Sequence, residues 1–167
     1  MDRSRSIELL NLGVADELQA VHQYMYFHFH LADQGYGRLS MLLKRSAIDE
    51  MGHIEVLSER ILFLKGDVVL KAAAPVEPIR DPEAILRRAA EMESQAIGQY
   101  NTVARECAQL ADSASKQIFE RLVQDEERHF DLFDKQLEHI QRFGERYLAL
   151  QSFDNTATQE GGGAKPE

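Results

Sequence analysis

Alternating steps of three and four residues pick out four stripes along this chain, the spacing of one face of an α-helix. The first stripe is Ile7, Leu10, Val14, Glu17, Val21, Tyr24, His28 and Leu31. The second is Leu43, Ser46, Glu50, His53 and Leu57, and the third is Leu86, Ala89, Glu93, Ile97 and Tyr100. The fourth is Phe119, Leu122, Glu126, His129, Phe133 and Ile140. They predict long helices over residues 6–34, 39–65, 81–110 and 113–143. Gly35-Tyr36-Gly37 ends the first and Gly66 the second. Asp81-Pro82-Glu83 opens the third, with Asp as N-cap and Pro at the first helical position. A final piece, ERYLALQSF, predicts a short fifth helix. Two short turns and one long connection, DVVLKAAAPVEPIR, describe two antiparallel hairpins joined by a crossover. The expected fold is all-α, a four-helix bundle with one long crossover and a short fifth C-terminal helix. Residues 1–153 form that domain, and the polar, Gly-rich residues 154–167 are expected to be a flexible tail.

The stripes are not wholly apolar. Each carries a glutamate, and the second and fourth add a histidine three residues later. Burying four carboxylates without partners costs several kcal/mol apiece. Two divalent cations would balance four negative charges, and neutral imidazoles would complete the coordination. Residues i and i+3 share a helix face, so one Glu-x-x-His pair can reach one metal. Oxygen and imidazole donors suit iron or manganese better than metals that prefer thiolates. An internal repeat strengthens this reading. Glu17 and Glu93, Glu50 and Glu126, and His53 and His129 all differ by 76 positions. ELQAVHQY at 17–24 matches ESQAIGQY at 93–100, which pairs Tyr24 with Tyr100. Two similar hairpins related by a pseudo-two-fold axis would hold the metals between them.

Composition agrees. The chain has 167 residues, 44% of them hydrophobic, enough for one domain with a real core. Its net charge of −9 and the lack of a basic stripe speak against nucleic acid and suit a protein that attracts cations. One cysteine, Cys107, excludes an internal disulfide framework and fits a reducing compartment. No signal core or membrane-length apolar run occurs, so a cytoplasmic protein without a membrane partner is expected.

Over residues 5–153 the chain resembles bacterioferritin, within the ferritin-like di-iron carboxylate proteins. The resemblance rests on ELQAVHQY, IDEMGH, ERILFLKG, LVQDEERH and RYLALQ. It implies terminal metal ligands at Glu17 and Glu93, bridging ligands at Glu50 and Glu126, and one-metal ligands at His53 and His129. Tyr24 would stand close by as a catalytic tyrosine, and Met51 would ligate haem b shared between two subunits. The implied cofactors are this haem and two iron ions per subunit, with manganese as the other metal. The implied activity is a ferroxidase, in which Fe(II) is oxidised by O2 or H2O2. The resemblance further implies mineral stored in a homo-oligomer of 24 subunits built from dimers, and a ferredoxin-type electron donor for iron release.

Some positions depart from the family pattern. Arg45 replaces a histidine of an auxiliary iron site beside Asp49, and Lys65 replaces an acid near a subunit pore. Gln34 replaces a tryptophan, Tyr100 is an added tyrosine, and Lys44 and Gly52 differ near the haem edge. Leu18, Val21, Met25 and Ile48 are apolar neighbours for Met51. Whether Asp49 and Asp125 orient histidines on a neighbouring helix stays open. The cluster YMYFHFH reads as one face in the core and one at a subunit interface, with His28 in core packing and His139 on the surface. The competing function is a di-iron or di-manganese oxidase or peroxidase that keeps its metals as a fixed cofactor. A bundle serving mainly assembly or haem electron transfer is a third.

Overall fold

Five helices follow one another: α1 (Arg3–Asp33), α2 (Gly37–Phe63), α3 (Pro82–Gln109), α4 (Ser113–Phe143) and α5 (Glu145–Gln151). The structure is a computed structural model, and it describes residues 2–153. The tail expected at 154–167 lies outside the described residues. α1 packs along α2 and α3 along α4, and the two hairpins meet through α1 with α3 and α2 with α4. This is the expected four-helix bundle, closed at one end by α5. No helix among the described residues is long and apolar enough to cross a membrane.

Side-chain caps set several helix starts. Asp2 accepts a hydrogen bond from the Arg5 amide at 3.2 Å, so α1 begins three residues before the apolar stripe implied. Asp81 caps α3 through the Ala84 amide at 2.9 Å, with Pro82 following it. Asp112 caps α4 through Ser115 and also binds the Arg60 guanidinium of α2 at 2.6 Å. The end of α2 differs from the sequence reading. Lys65, not Gly66, takes the left-handed conformation, with φ of +65°. Gly66 serves close packing instead: a Cβ there would lie 2.7 Å from Ile7 Cγ2 on α1.

The crossover has no regular structure and is held by amide side chains of α1. Asn11 binds Asp67 and Val69, and Gln23 both donates to and accepts from the Glu77 backbone at 3.0 and 2.8 Å. Gln34, where the family pattern has tryptophan, donates to the Arg80 carbonyl at 2.9 Å.

The core is in two parts. Tyr24, Phe27, Leu31, Leu43, Leu86, Phe133 and their neighbours fill one end. Leu10, Val14, Leu57, Ile61, Tyr100, Phe119 and their neighbours fill the other. The repeat exchanges the two ends, carrying Leu10 of one cluster onto Leu86 of the other. The glutamates and histidines of the stripes lie between them. All six are buried, as the stripes implied, whereas Ile7, Val21, His28 and Ile97 are only half-buried.

Gly66→Ala is expected to destabilise the protein by about 1–3 kcal/mol, the range for forcing a methyl into a packed contact. Ile7 is β-branched and cannot swing clear easily. Thermal unfolding monitored by circular dichroism checks this, and an unchanged melting temperature would show that the α1–α2 end is loosely packed.

Candidate metal centre

Four helices each place one glutamate at mid-bundle, and α2 and α4 add a histidine one turn later. The structure gathers them into two overlapping groups. Glu17, Glu50, His53 and Glu126 offer ligand atoms all within 4.8 Å of one another, and so do Glu50, Glu93, Glu126 and His129. Glu50 and Glu126 belong to both groups, and Glu17 and Glu93 to one each. This sharing would suit two metal positions with two carboxylates in common.

The imidazoles are oriented for that task. His53 turns Nδ1 to the cluster, 2.8 Å from Glu50 and 3.2 Å from Glu126. His129 does the same, with Nδ1 3.0 Å from Glu50 and 3.1 Å from Glu126. Each Nε2 faces an aspartate on the opposite hairpin, Asp125 at 3.3 Å for His53 and Asp49 at 3.2 Å for His129. A carboxylate behind an imidazole fixes its tautomer and leaves the other nitrogen free for a metal. The question that the sequence left open about these aspartates is thereby answered: both contact histidines across the bundle.

Two tyrosines complete the symmetry. Tyr24 donates to Glu93 at 2.5 Å and Tyr100 donates to Glu17 at 2.6 Å, all four side chains being buried. Each hairpin thus supplies the tyrosine for the other hairpin's glutamate. The added tyrosine at 100 is a full counterpart of Tyr24.

Charge and solvation are out of balance without a cation. Both Glu50 carboxylate oxygens, Glu126 Oε1 and His53 Nδ1 are buried with no hydrogen bond of acceptable geometry. Natural interiors leave few such atoms without a partner, so this donor set fits a bound cation. Burial pushes the Glu17 and Glu93 carboxyls well up, helped by the charges of Glu50 and Glu126. Burial also works against charge on the histidines, but the surrounding carboxylates outweigh it. They raise His53 far above its usual range and His129 to about 11. Glu126 resists its own burial through His129 and His53 and falls to about 2. Protons therefore do part of the neutralising that divalent cations would do.

A small pocket of about 80 Å³ reaches this cluster between α1 and α3, lined by the four glutamates, both tyrosines, Asp16 and Gln99. Asp16 and Gln99 hydrogen-bond across it. Burial raises Asp16 to about 6, and the Gln99 amide partly offsets this. Asp16 escaped the sequence reading because the matched octapeptides begin one residue later. Its repeat partner, Met92, is the signal that could have revealed it, as a mismatch beside a matched block.

The chain matches the ferritin-like domain over residues 7–143. It is 34% identical over 147 residues to a bacterioferritin from Desulfovibrio desulfuricans, spanning 88% of this chain and 82% of that protein. This chain belongs to the bacterioferritin family. A bacterioferritin from Brucella melitensis is 35% identical over 145 residues, 86% of this chain and 90% of that one. A solved bacterioferritin from Rhodobacter capsulatus, described with a metal-free dinuclear site and a haem iron in a crystallographic special position, superimposes with a TM-score of 0.87. It is 31% identical and covers 93% of this chain and 98% of its own.

Other positions singled out by the bacterioferritin resemblance lie apart from the cluster. Met51 follows Glu50 but points away, 57% exposed beside Ile48 at 55%. Leu18, Val21 and Met25 are half-buried on α1. Arg45 and Lys65 are exposed. His28 binds Ser40 at the start of α2, with 2.7 Å between Nδ1 and the hydroxyl, and has no place in the cluster. His139 is exposed beside Phe143 and Tyr147. In YMYFHFH, Phe27 is in the core while Phe29 is 60% exposed.

Because the carboxylates around them favour the protonated forms of His53 and His129, an entering cation must displace those protons. Lower pH stabilises the protonated form and opposes binding, so affinity rises with pH. Anaerobic calorimetric titration with Co(II) from about pH 6 to about pH 8 should show tighter binding at the higher value. It should also show proton release, read from buffers of different ionisation heat. A pH-independent affinity with no proton release would contradict the protonated-histidine description.

Proposed function

We propose that this protein oxidises Fe(II) to Fe(III) at a dinuclear centre and stores the product. The observation that carries the reading is the pair of overlapping ligand groups sharing Glu50 and Glu126. Fe(II) is the substrate. Glu17 and His53 complete one position, Glu93 and His129 the other, and Glu50 and Glu126 span both. Two ions held side by side deliver two electrons together, which takes O2 to H2O2 or H2O2 to water. Tyr100 and Tyr24 steady the terminal carboxylates by hydrogen bonds from their hydroxyls. Asp125 and Asp49 hold the imidazoles with Nδ1 inward. Oxygen and nitrogen donors also accept manganese.

Storage requires an enclosed space, and the reading takes the assembly to be a 24-subunit shell built from dimers. Family membership supports it. Haem b fits the dimer step. Met51 presents an exposed thioether beside apolar Ile48, and a Cβ at Gly52 would meet nothing within 4 Å. Two such faces, together with the half-buried Leu18, Val21 and Met25 of α1, would enclose a haem between two methionines. When bound, the haem supplies a one-electron path, and a ferredoxin-type donor would feed it for iron release. The reading places the protein in the cytoplasm, and its single cysteine fits a reducing compartment.

Repeated Fe(II) additions under oxygen test the reading, with ferric absorbance followed per subunit. Fast oxidation should continue far past two irons per subunit, with soluble ferric product accumulating. If oxidation stops near two, the metals are a fixed cofactor and the protein is a di-metal oxidase or peroxidase. Glu126→Ala removes a ligand shared by both positions and should abolish the fast phase; an unchanged rate would sink the dinuclear assignment. Met51→Leu should remove the haem absorption band from protein isolated with haem, and a surviving band would exclude Met51 as its ligand.

A further inference from the structure

The internal repeat is faithful at the metal cluster and broken at its mouth. Glu17, Tyr24, Glu50 and His53 all have chemical counterparts 76 positions on. Asp16 does not, since its counterpart is Met92, 9% exposed. Gln99 is matched in type by Gln23, but the two do different work. Gln23 is buried and tied to the Glu77 backbone, so it pins the crossover. Gln99 is exposed and donates to the Asp16 carboxylate.

Beside the cluster, three hydrogen bonds cross between α1 and α3; Tyr24–Glu93 and Tyr100–Glu17 are repeat partners, but among the described residues only the second has another rung beside it. The outer rung is Asp16 with Gln99, and the inner rung, one residue further along each helix, is Glu17 with Tyr100. The pocket that contains both rungs reaches all four cluster glutamates but neither histidine. Across the bundle, His53 and His129 stand between the cluster and the aspartates behind them. The carboxylate oxygens thus meet a path from solvent on the α1–α3 side. Among the residues lining that path outside the cluster, which include Gln19, Gln95 and Gln99, Asp16 alone carries charge.

We propose that Asp16 is a capture residue for the cation substrate, the first carboxylate an Fe(II) ion binds before it passes to Glu17 and the shared glutamates. Gln99 latches Asp16 between ions and releases it when a cation offers a stronger partner. The dinuclear centre then fills from one side, first at the Glu17–His53 position. This rests on the ferroxidase reading above. It also gives this chain an acidic entry point where Arg45 and Lys65 stand in place of a histidine and an acid of the family pattern.

The test is stopped-flow oxidation of Fe(II) by O2 in the assembled protein, comparing wild type, Asp16→Asn and Asp16→Glu over a range of Fe(II) concentrations. Asp16→Asn keeps a hydrogen-bond acceptor for Gln99 and removes only the charge. It should raise KM for Fe(II) roughly tenfold, the low end of steering effects by local charge, with kcat little changed. Asp16→Glu should restore most of the lost rate. Anaerobic Co(II) titration should still give two ions per subunit in every variant. An Asp16→Asn protein as fast as wild type at every Fe(II) concentration would overturn the proposal. So would a loss of kcat together with Co(II) sites, since Asp16 would then act only through the fold around Glu17. Wild type with no fast oxidation at all would instead remove the ferroxidase reading, and the capture role with it.

Discussion

Four carboxylates in the middle of a protein interior are the constraint on which everything else here depends. Glu17, Glu50, Glu93 and Glu126 are each no more than 2% exposed. The apolar core is cut in two by their layer. A leucine at each position would be the cheaper way to fill such a bundle. The chain instead surrounds the acids with two imidazoles and two phenols, and three of the oxygens of Glu50 and Glu126 face imidazole nitrogens without a well-formed hydrogen bond. Protons offset the charge only in part. Two divalent cations would offset it fully, and the oxygen and imidazole donors suit iron or manganese.

The duplication explains how so polar a layer can be held accurately. Every supporting contact runs between the hairpins. Tyr24 of one holds Glu93 of the other, Tyr100 holds Glu17, Asp49 holds His129 and Asp125 holds His53. Each four-residue ligand group takes three members from one hairpin and one shared glutamate from the other, so neither group is complete until the hairpins dock. The elements that break the symmetry lie outside this layer. They are the crossover, clamped along α1 by Asn11, Gln23 and Gln34, and the mouth at Asp16. Asymmetry sits where traffic and connectivity require it.

The helices and the cluster were legible because both obey a period. The 3.6-residue stripe places Glu50 and His53 on one face whatever the neighbours are, and the 76-residue offset ties the halves together. Features without a period were harder to read. The start of α1 depends on the single side chain of Asp2, and the end of α2 on a left-handed Lys65 that no propensity favours. The partly buried Arg60–Asp112 pair joins residues far apart in sequence by a contact that only the fold creates. Asp16 was hidden by the repeat itself, because a search for sameness passes over the residue that differs. Met51 was found by resemblance. In the proposed dimer its partner would come from a second subunit, which one chain's sequence does not specify.

The most direct test of the central claim is anomalous diffraction from crystals of the protein loaded anaerobically with Fe(II). Two peaks should appear in the carboxylate layer, roughly 3.5–4 Å apart as in other two-metal sites. Glu50 and Glu126 should touch both, and Nδ1 of His53 and of His129 should touch one each. A single peak, or peaks only at surface acids with the layer empty, would contradict the account.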